Sequence, residues 1–108
     1  MLGVIDTEAG NIQSVVNALM RIGASPEIVA DAEGVMRADA LVLPGVGAFA
    51  PAIASLSERG ITDAIRRRVL EDGRPLLGIC LGMQLLADRS DENGAHKGLG
   101  LVPGRVLP

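Results

Sequence analysis

The 108-residue chain is 48% hydrophobic, has a formal net charge of −3, and contains one cysteine, one histidine and a single aromatic ring, Phe49. That length supports one small domain around one core, filled by Leu, Ile, Val, Ala and Met rather than by stacked rings. Arg66-Arg67-Arg68 is the only basic block and there are no rings to stack on bases, so a nucleic-acid partner is excluded, as is an internal disulfide.

Leu2-Gly3-Val4-Ile5 is a short apolar run closed by Asp6, which predicts a buried strand followed by a turn over Glu8-Ala9-Gly10-Asn11. No basic leader precedes it, and a lone thiol without an export signal fits a reducing cytoplasm. Ile12, Val15, Val16, Leu19 and Ile22 then lie on one face of a 3.6-residue period, predicting a helix stopped by Gly23. Glu27-Ile28-Val29-Ala30 reads as a second strand, and Asp31 to Arg37 as a polar link.

Ala40-Leu41-Val42-Leu43 is apolar on both sides, as the middle of a parallel sheet requires, and Pro44-Gly45-Val46-Gly47 ends it. The stretch from Ala38 to Leu56 is nearly uncharged, but its glycines and prolines make it a strand, loop and helix rather than a membrane span, and no membrane partner is expected. Helical pattern runs from about Pro51 to Arg59 and from Thr62 to Glu71, with Ile61, Ile65, Val69 and Leu70 inward and the arginines outward. Pro75-Leu76-Leu77-Gly78-Ile79 is a fourth strand, leading through Cys80 into a short helix, Met83 to Ala87. Asp88 to Lys97 reads as a polar stretch and Leu99 to Leu107 as one further extended segment. Strands alternating with helices predict an α/β fold of the doubly wound class, with functional groups at the carboxyl ends of a mainly parallel sheet.

Three strand ends gather the special residues: 6–11, 44–49 and 78–84. In the last, Gly78-Ile79-Cys80-Leu81-Gly82 is the thiol form of a nucleophile elbow, whose glycines allow the close packing that pushes the side chain forward. A helix amino terminus there favours an anionic sulfur and offers N–H groups to an oxyanion. The plainer alternative makes Cys80 a buried small hydrophobe between packing glycines. Pro44-Gly45-Val46-Gly47-Ala48-Phe49 adds a glycine-rich backbone able to aim a second N–H at the same point. Gly45-Val46-Gly47-Ala48-Phe49-Ala50 also fits a loose dinucleotide fingerprint, but the acidic residue at the expected distance, Asp63, lies in helical pattern. His96 is the only in-chain candidate for a general base, and a lone loop histidine reads more simply as solvated surface. Asp6 either caps its turn or faces the site, and Arg66-Arg67-Arg68 is the wet face of a helix.

Leu43 to Phe49, Pro75 to Gln84 and His96-Lys97-Gly98-Leu99-Gly100-Leu101 together resemble the class I glutamine amidotransferases, in particular the branch that supplies ammonia to imidazole glycerol phosphate synthase in histidine biosynthesis. The resemblance implies a flavodoxin-like fold in which Cys80 attacks the side-chain amide of glutamine. Val46 and Leu81 would offer N–H groups to the oxyanion, and Gly45, Gly47 and Gln84 would border the substrate pocket. It implies no cofactor or metal, and a (β/α)8-barrel cyclase subunit as heterodimer partner, with Asn11 and the first turn as interface candidates. That branch usually carries Asp-Tyr-Gly-x-Gly-Asn where this chain has Asp6-Thr7-Glu8-Ala9-Gly10-Asn11, a departure that touches the turn's geometry. Its members also run longer and supply a His and a Glu near their carboxyl terminus, so residues 1–108 are expected to be a partial amidotransferase domain, inactive alone and prone to self-association. A non-catalytic partner-binding module and a thiol enzyme of a related elbow-bearing family remain the alternatives.

Overall fold

The computed structural model describes residues 1–8, 12–92 and 94–107. The turn expected over Ala9-Gly10-Asn11, and with it the docking role of Asn11, lies outside the described residues. Four apolar runs form the parallel sheet: β1 (Leu2–Ile5), β2 (Pro26–Val29), β3 (Ala40–Gly45) and β4 (Leu76–Cys80), in the order β2-β1-β3-β4. That order is the flavodoxin-like one, with its crevice at the carboxyl ends of β1 and β3.

Helices cover the two faces unequally. Val4 and Val42 meet Val16 of α1 (Ile12–Arg21), the one helix on that side among the described residues, with Ile12, Val15, Leu19 and Ile79 at the margin. Ile5, Leu41 and Leu43 face the larger core built by α2 (Ala32–Arg37), α3 (Phe49–Glu58), α4 (Ile61–Arg66) and α5 (Leu81–Leu85). Phe49, Leu56, Ile61, Ile65 and Leu85 fill that core, so the aliphatic packing anticipated from composition is what the fold uses. At the amino-terminal ends of the strands the Met1 ammonium donates to Asp39, and with Arg74 and Arg68 it holds that carboxyl below the ordinary carboxylate range.

Several local expectations are corrected. The presumed link at Asp31 to Arg37 is α2, because Asp31 Oδ1 accepts from the Gly34 N–H at 2.7 Å and caps it. The second strand starts one residue early, at Pro26, and β3 continues through Pro44-Gly45 by pairing with β4. The helix expected over 62–71 is α4 followed by a π-helical turn, Arg67–Glu71. Ile22 and Leu70, expected inward, are exposed, since Ile22 falls where its helix has ended and Leu70 where the helix has widened into a π-turn. Two of the three arginines are structural: Arg66 donates to the Leu99 carbonyl, and Arg68 Nε donates to the Ala38 carbonyl at 2.9 Å. Arg66 and Arg67 both stay exposed as expected, Arg67 paired with Glu71, while Arg68 is half-buried.

The largest difference follows the elbow. The helix stops at Leu85, and the polar stretch enters a second sheet of order β6-β5-β7, made of β5 (Ala87–Ser90), β6 (His96–Lys97) and β7 (Val102–Val106). Its strands have no apolar alternation because backbone bonds carry the pairing, with Gly98 N–H donating to the Asp88 carbonyl at 2.8 Å and Leu101 N–H to the Leu86 carbonyl at 2.8 Å. The extended segment expected within Leu99 to Leu107 is β7. No described helix is long and apolar enough to cross a membrane.

Leu56 is fully enclosed between α3 and the sheet, whereas Ile22 is 80% exposed. Leu56→Ala is expected to lower unfolding free energy by about 2–5 kcal/mol and Ile22→Ala by less than about 0.5 kcal/mol, as read from urea midpoints at constant slope.

Candidate active site

Cys80 is both the last residue of β4 and the residue that opens α5, with φ 55° and ψ −122°. A side chain at positive φ costs about 1–2 kcal/mol, so the surroundings must hold it there. Two glycines do so. A Cβ at Gly82 would lie 1.7 Å from the Leu43 carbonyl oxygen, and one at Gly78 would lie 2.8 Å from the Met83 Cα. The first turn of α5 therefore sits directly on β3 and β4, and the chain reaches it only by turning sharply at Cys80. The thiol is left exposed, not buried among packing glycines.

Register then brings the second motif alongside. Gly45 pairs with Cys80 and Pro44 with Ile79, so the loop leaving β3 begins next to the sulfur. The ideal Cβ position of Gly45 is 3.2 Å from the Leu81 side chain, which is why β3 needs a glycine where α5 crosses it. Beyond it, Val46 is half-exposed and Gly47 adopts φ +94° with open space around its Cα. Leu81 is buried and is the first residue of α5, directly after the Gly45–Cys80 pair of the sheet. Cys80, Gly45, Val46 and Leu81 thus come together, with Gly47 one residue further along the loop.

A narrow cleft of about 70 Å³ opens here, lined by Thr7, Pro44, Gly45, Val46, Ile79 and Cys80, with Ile12 and Val15 of α1 behind. It adjoins a wider groove of about 340 Å³ between the end of β1 and α3, the two sharing Thr7 and Val46. Gln84, half-buried one turn along α5, does not line the cleft. Thr7, 4% exposed, had no role in the sequence analysis beyond departing from a pattern; its place directly after a strand end was the available signal. Asp6 caps its turn, accepting from the Glu8 N–H at 2.9 Å.

His96 is not a solvated loop residue. It is half-buried in β6, paired with Ser90 in the second sheet, and does not line the cleft. Asp63 sits in the first turn of α4, which removes the acidic strand end a dinucleotide site would need. A larger concavity, about 560 Å³, is lined beside the second sheet by residues that do not include Cys80; it carries Asp63, Arg66, Asp88 and Lys97, and Arg66 is committed to Leu99. Among the described residues no cluster of His, Cys, Asp and Glu is arranged to hold a metal.

A parallel sheet whose strand β4 turns through a strained, exposed cysteine into a short helix defines an α/β domain with the geometry of a nucleophile elbow. The family described as glutamine amidotransferase class-I matches residues 3–97, and the chain belongs to that family. It is 53% identical over 107 residues to imidazole glycerol phosphate synthase subunit HisH of Geobacillus thermodenitrificans, covering 99% of this chain and 50% of the relative. The subunit of the same name from Wolinella succinogenes is 44% identical over 108 residues, covering 100% of this chain and 52% of that protein. The chain thus spans about half the length of the curated relatives it matches. A crystal structure of a glutamine amidotransferase superposes with a TM-score of 0.83 at 29% identity, over 98% of this chain and 55% of that one. A peptidase E-like protein from Listeria monocytogenes, at 14% identity and TM-score 0.75, covers 94% of this chain and 62% of its own and shares the fold.

Because strain resides at Cys80 itself, Cys80→Gly is expected to raise stability by about 1 kcal/mol, while Cys80→Ala, which keeps a Cβ at φ 55°, leaves it within about 0.5 kcal/mol. Paired urea titrations of the two variants separate these outcomes.

Proposed function

We propose that residues 1–108 carry the nucleophile-bearing part of a glutaminase domain, one that supplies ammonia to an imidazole glycerol phosphate synthase in histidine biosynthesis. The observation that carries this reading is the exposed thiol of Cys80, held at a strained elbow in register with the Gly45-Val46-Gly47 loop. The names of the relatives supply the choice of pathway.

In this reading the Cys80 sulfur attacks the side-chain carboxamide carbon of glutamine. The carbonyl oxygen becomes an oxyanion, stabilised by the N–H groups of Val46 and Leu81, while Gly45, Gly47 and Gln84 border the substrate. The C–N bond then breaks, ammonia leaves with the proton it receives, and a glutamyl thioester remains. Water hydrolyses the thioester to glutamate and the free thiol. The ammonia passes to a (β/α)8-barrel cyclase subunit seated over the carboxyl ends of the strands, in a reducing cytoplasm.

Proton transfer needs a positioned base, worth roughly 10²- to 10⁴-fold. His96 is in the second sheet and does not line the cleft, so this chain alone is proposed to release ammonia at a negligible rate. Binding and alkylation need less. Incubation with the glutamine affinity label 6-diazo-5-oxo-norleucine is expected to give one adduct by intact mass, absent in Cys80→Ala. Absence of adduct on folded protein favours the non-catalytic module, whereas equal labelling by unrelated electrophiles with no glutamine competition favours a different thiol enzyme.

Self-association belongs to the same proposal. Among the described residues β4 pairs only with β3, and Leu77 on it is 57% exposed beside a face covered by one helix. An apolar unpaired edge is a template for another chain. Sedimentation velocity is expected to show mass rising with concentration, and Leu77→Lys to suppress it; a monomer throughout contradicts this part.

A further inference from the structure

The carboxyl ends of β1 and β2 are tied to α3 by one side chain, Arg59, which follows directly on that helix. Its guanidinium is 21% exposed and reaches three segments. Nη2 donates to the Asp6 carbonyl at 2.7 Å and to Ser55 Oγ at 3.0 Å, and Nη1 donates to the Ala30 carbonyl at 3.1 Å. Nε donates to the Ser55 carbonyl at 3.2 Å and lies 3.1 Å from Glu8 Oε1. Ser55 Oγ donates to the same Glu8 oxygen at 2.9 Å.

Glu8 is the second non-glycine residue with positive φ, at 61°, among those described. Its own turn supplies one bond, from its N–H to Asp6 Oδ1, and among the described residues Arg59 and Ser55 at the end of α3 add the contacts to its carboxylate. Between Asp6 and Glu8 stands Thr7, buried, which walls both the cleft at Cys80 and the wider groove.

We propose that Arg59 is a positioning residue: by clamping Asp6, Ala30 and Glu8 to α3 it holds Thr7 in the wall of the groove beside Cys80. Planar, bidentate geometry makes arginine the residue for this, since a lysine ammonium cannot span two carbonyls and a carboxylate at once. The part of the proposal that concerns substrate rests on the glutaminase reading; the clamp itself does not.

The test therefore has two arms on the same variants, Arg59→Ala, Arg59→Lys and Arg59→Ala with Glu8→Gly. In the first, amide exchange read by NMR is expected to lose about tenfold protection at Thr7 and Glu8 in Arg59→Ala, to recover little in Arg59→Lys, and to recover at Thr7 when glycine occupies position 8, because glycine keeps positive φ unaided. In the second, Arg59→Ala is expected to raise the half-saturating concentration of 6-diazo-5-oxo-norleucine about tenfold, with the maximal rate and the rate with iodoacetamide changed less than about twofold. Unchanged protection in Arg59→Ala, or failure of Glu8→Gly to restore Thr7, overturns the clamp. A parent chain that the glutamine analogue does not label, with the exchange arm as expected, removes the glutaminase reading and leaves the clamp standing.

Discussion

The active end of this domain depends on one close approach, that of the Leu43 carbonyl to the α-carbon of Gly82. With no side chain between them, the first turn of α5 lies on β3, and β4 can enter that helix only by reversing direction within a single residue. That residue is Cys80, and its positive φ is the geometric remainder of the packing. The exposed thiol, the position of the α5 turn and the neighbouring loop from Gly45 follow from the same contact rather than from separate devices. In this chain the position of Cys80 is thus set by a packing distance.

Such strain persists only when the rest of the fold outweighs it. Here the weight comes from one face of the sheet, where Ile5, Leu41 and Leu43 meet four helices. Among the described residues the opposite face has α1 alone and leaves Leu77 and Ile28 half-exposed. Strength on the elbow side and thin cover on the other fit a domain whose chemistry sits at the strand ends and whose remaining face and edge are free to meet more protein.

What was legible in the sequence was what is local. Four apolar runs marked β1 to β4 because strands buried on both sides need no alternation, and Gly78-Ile79-Cys80-Leu81-Gly82 was legible because the close contacts involve residues within that pentapeptide, the next residue Met83 and one neighbouring strand. The second sheet was not, since Ala87-Asp88-Arg89-Ser90 pairs through its backbone and its side chains advertise a loop. Nor was α2, whose one announcement is the cap at Asp31 within a polar stretch. Arg66 and Arg68 looked like a wet face because the carbonyls they reach, Leu99 and Ala38, lie 33 and 30 residues away. The same distance hid Arg59, whose partner Asp6 is 53 residues off, and so the departure at Thr7-Glu8 read as a loss when it is a glycine-like turn held from outside.

The proposed function requires that the Cys80 turn and the β3 loop form one oxyanion cradle. The most direct measurement is a high-resolution crystal structure of the chain alkylated at Cys80 by 6-diazo-5-oxo-norleucine, refined to the position of the ketone oxygen. The account predicts that oxygen within hydrogen-bond distance of the N–H groups of Val46 and Leu81, at roughly 2.7–3.1 Å, with φ of Cys80 still positive. An oxygen turned to solvent, or a Cys80 relaxed to negative φ, would contradict it.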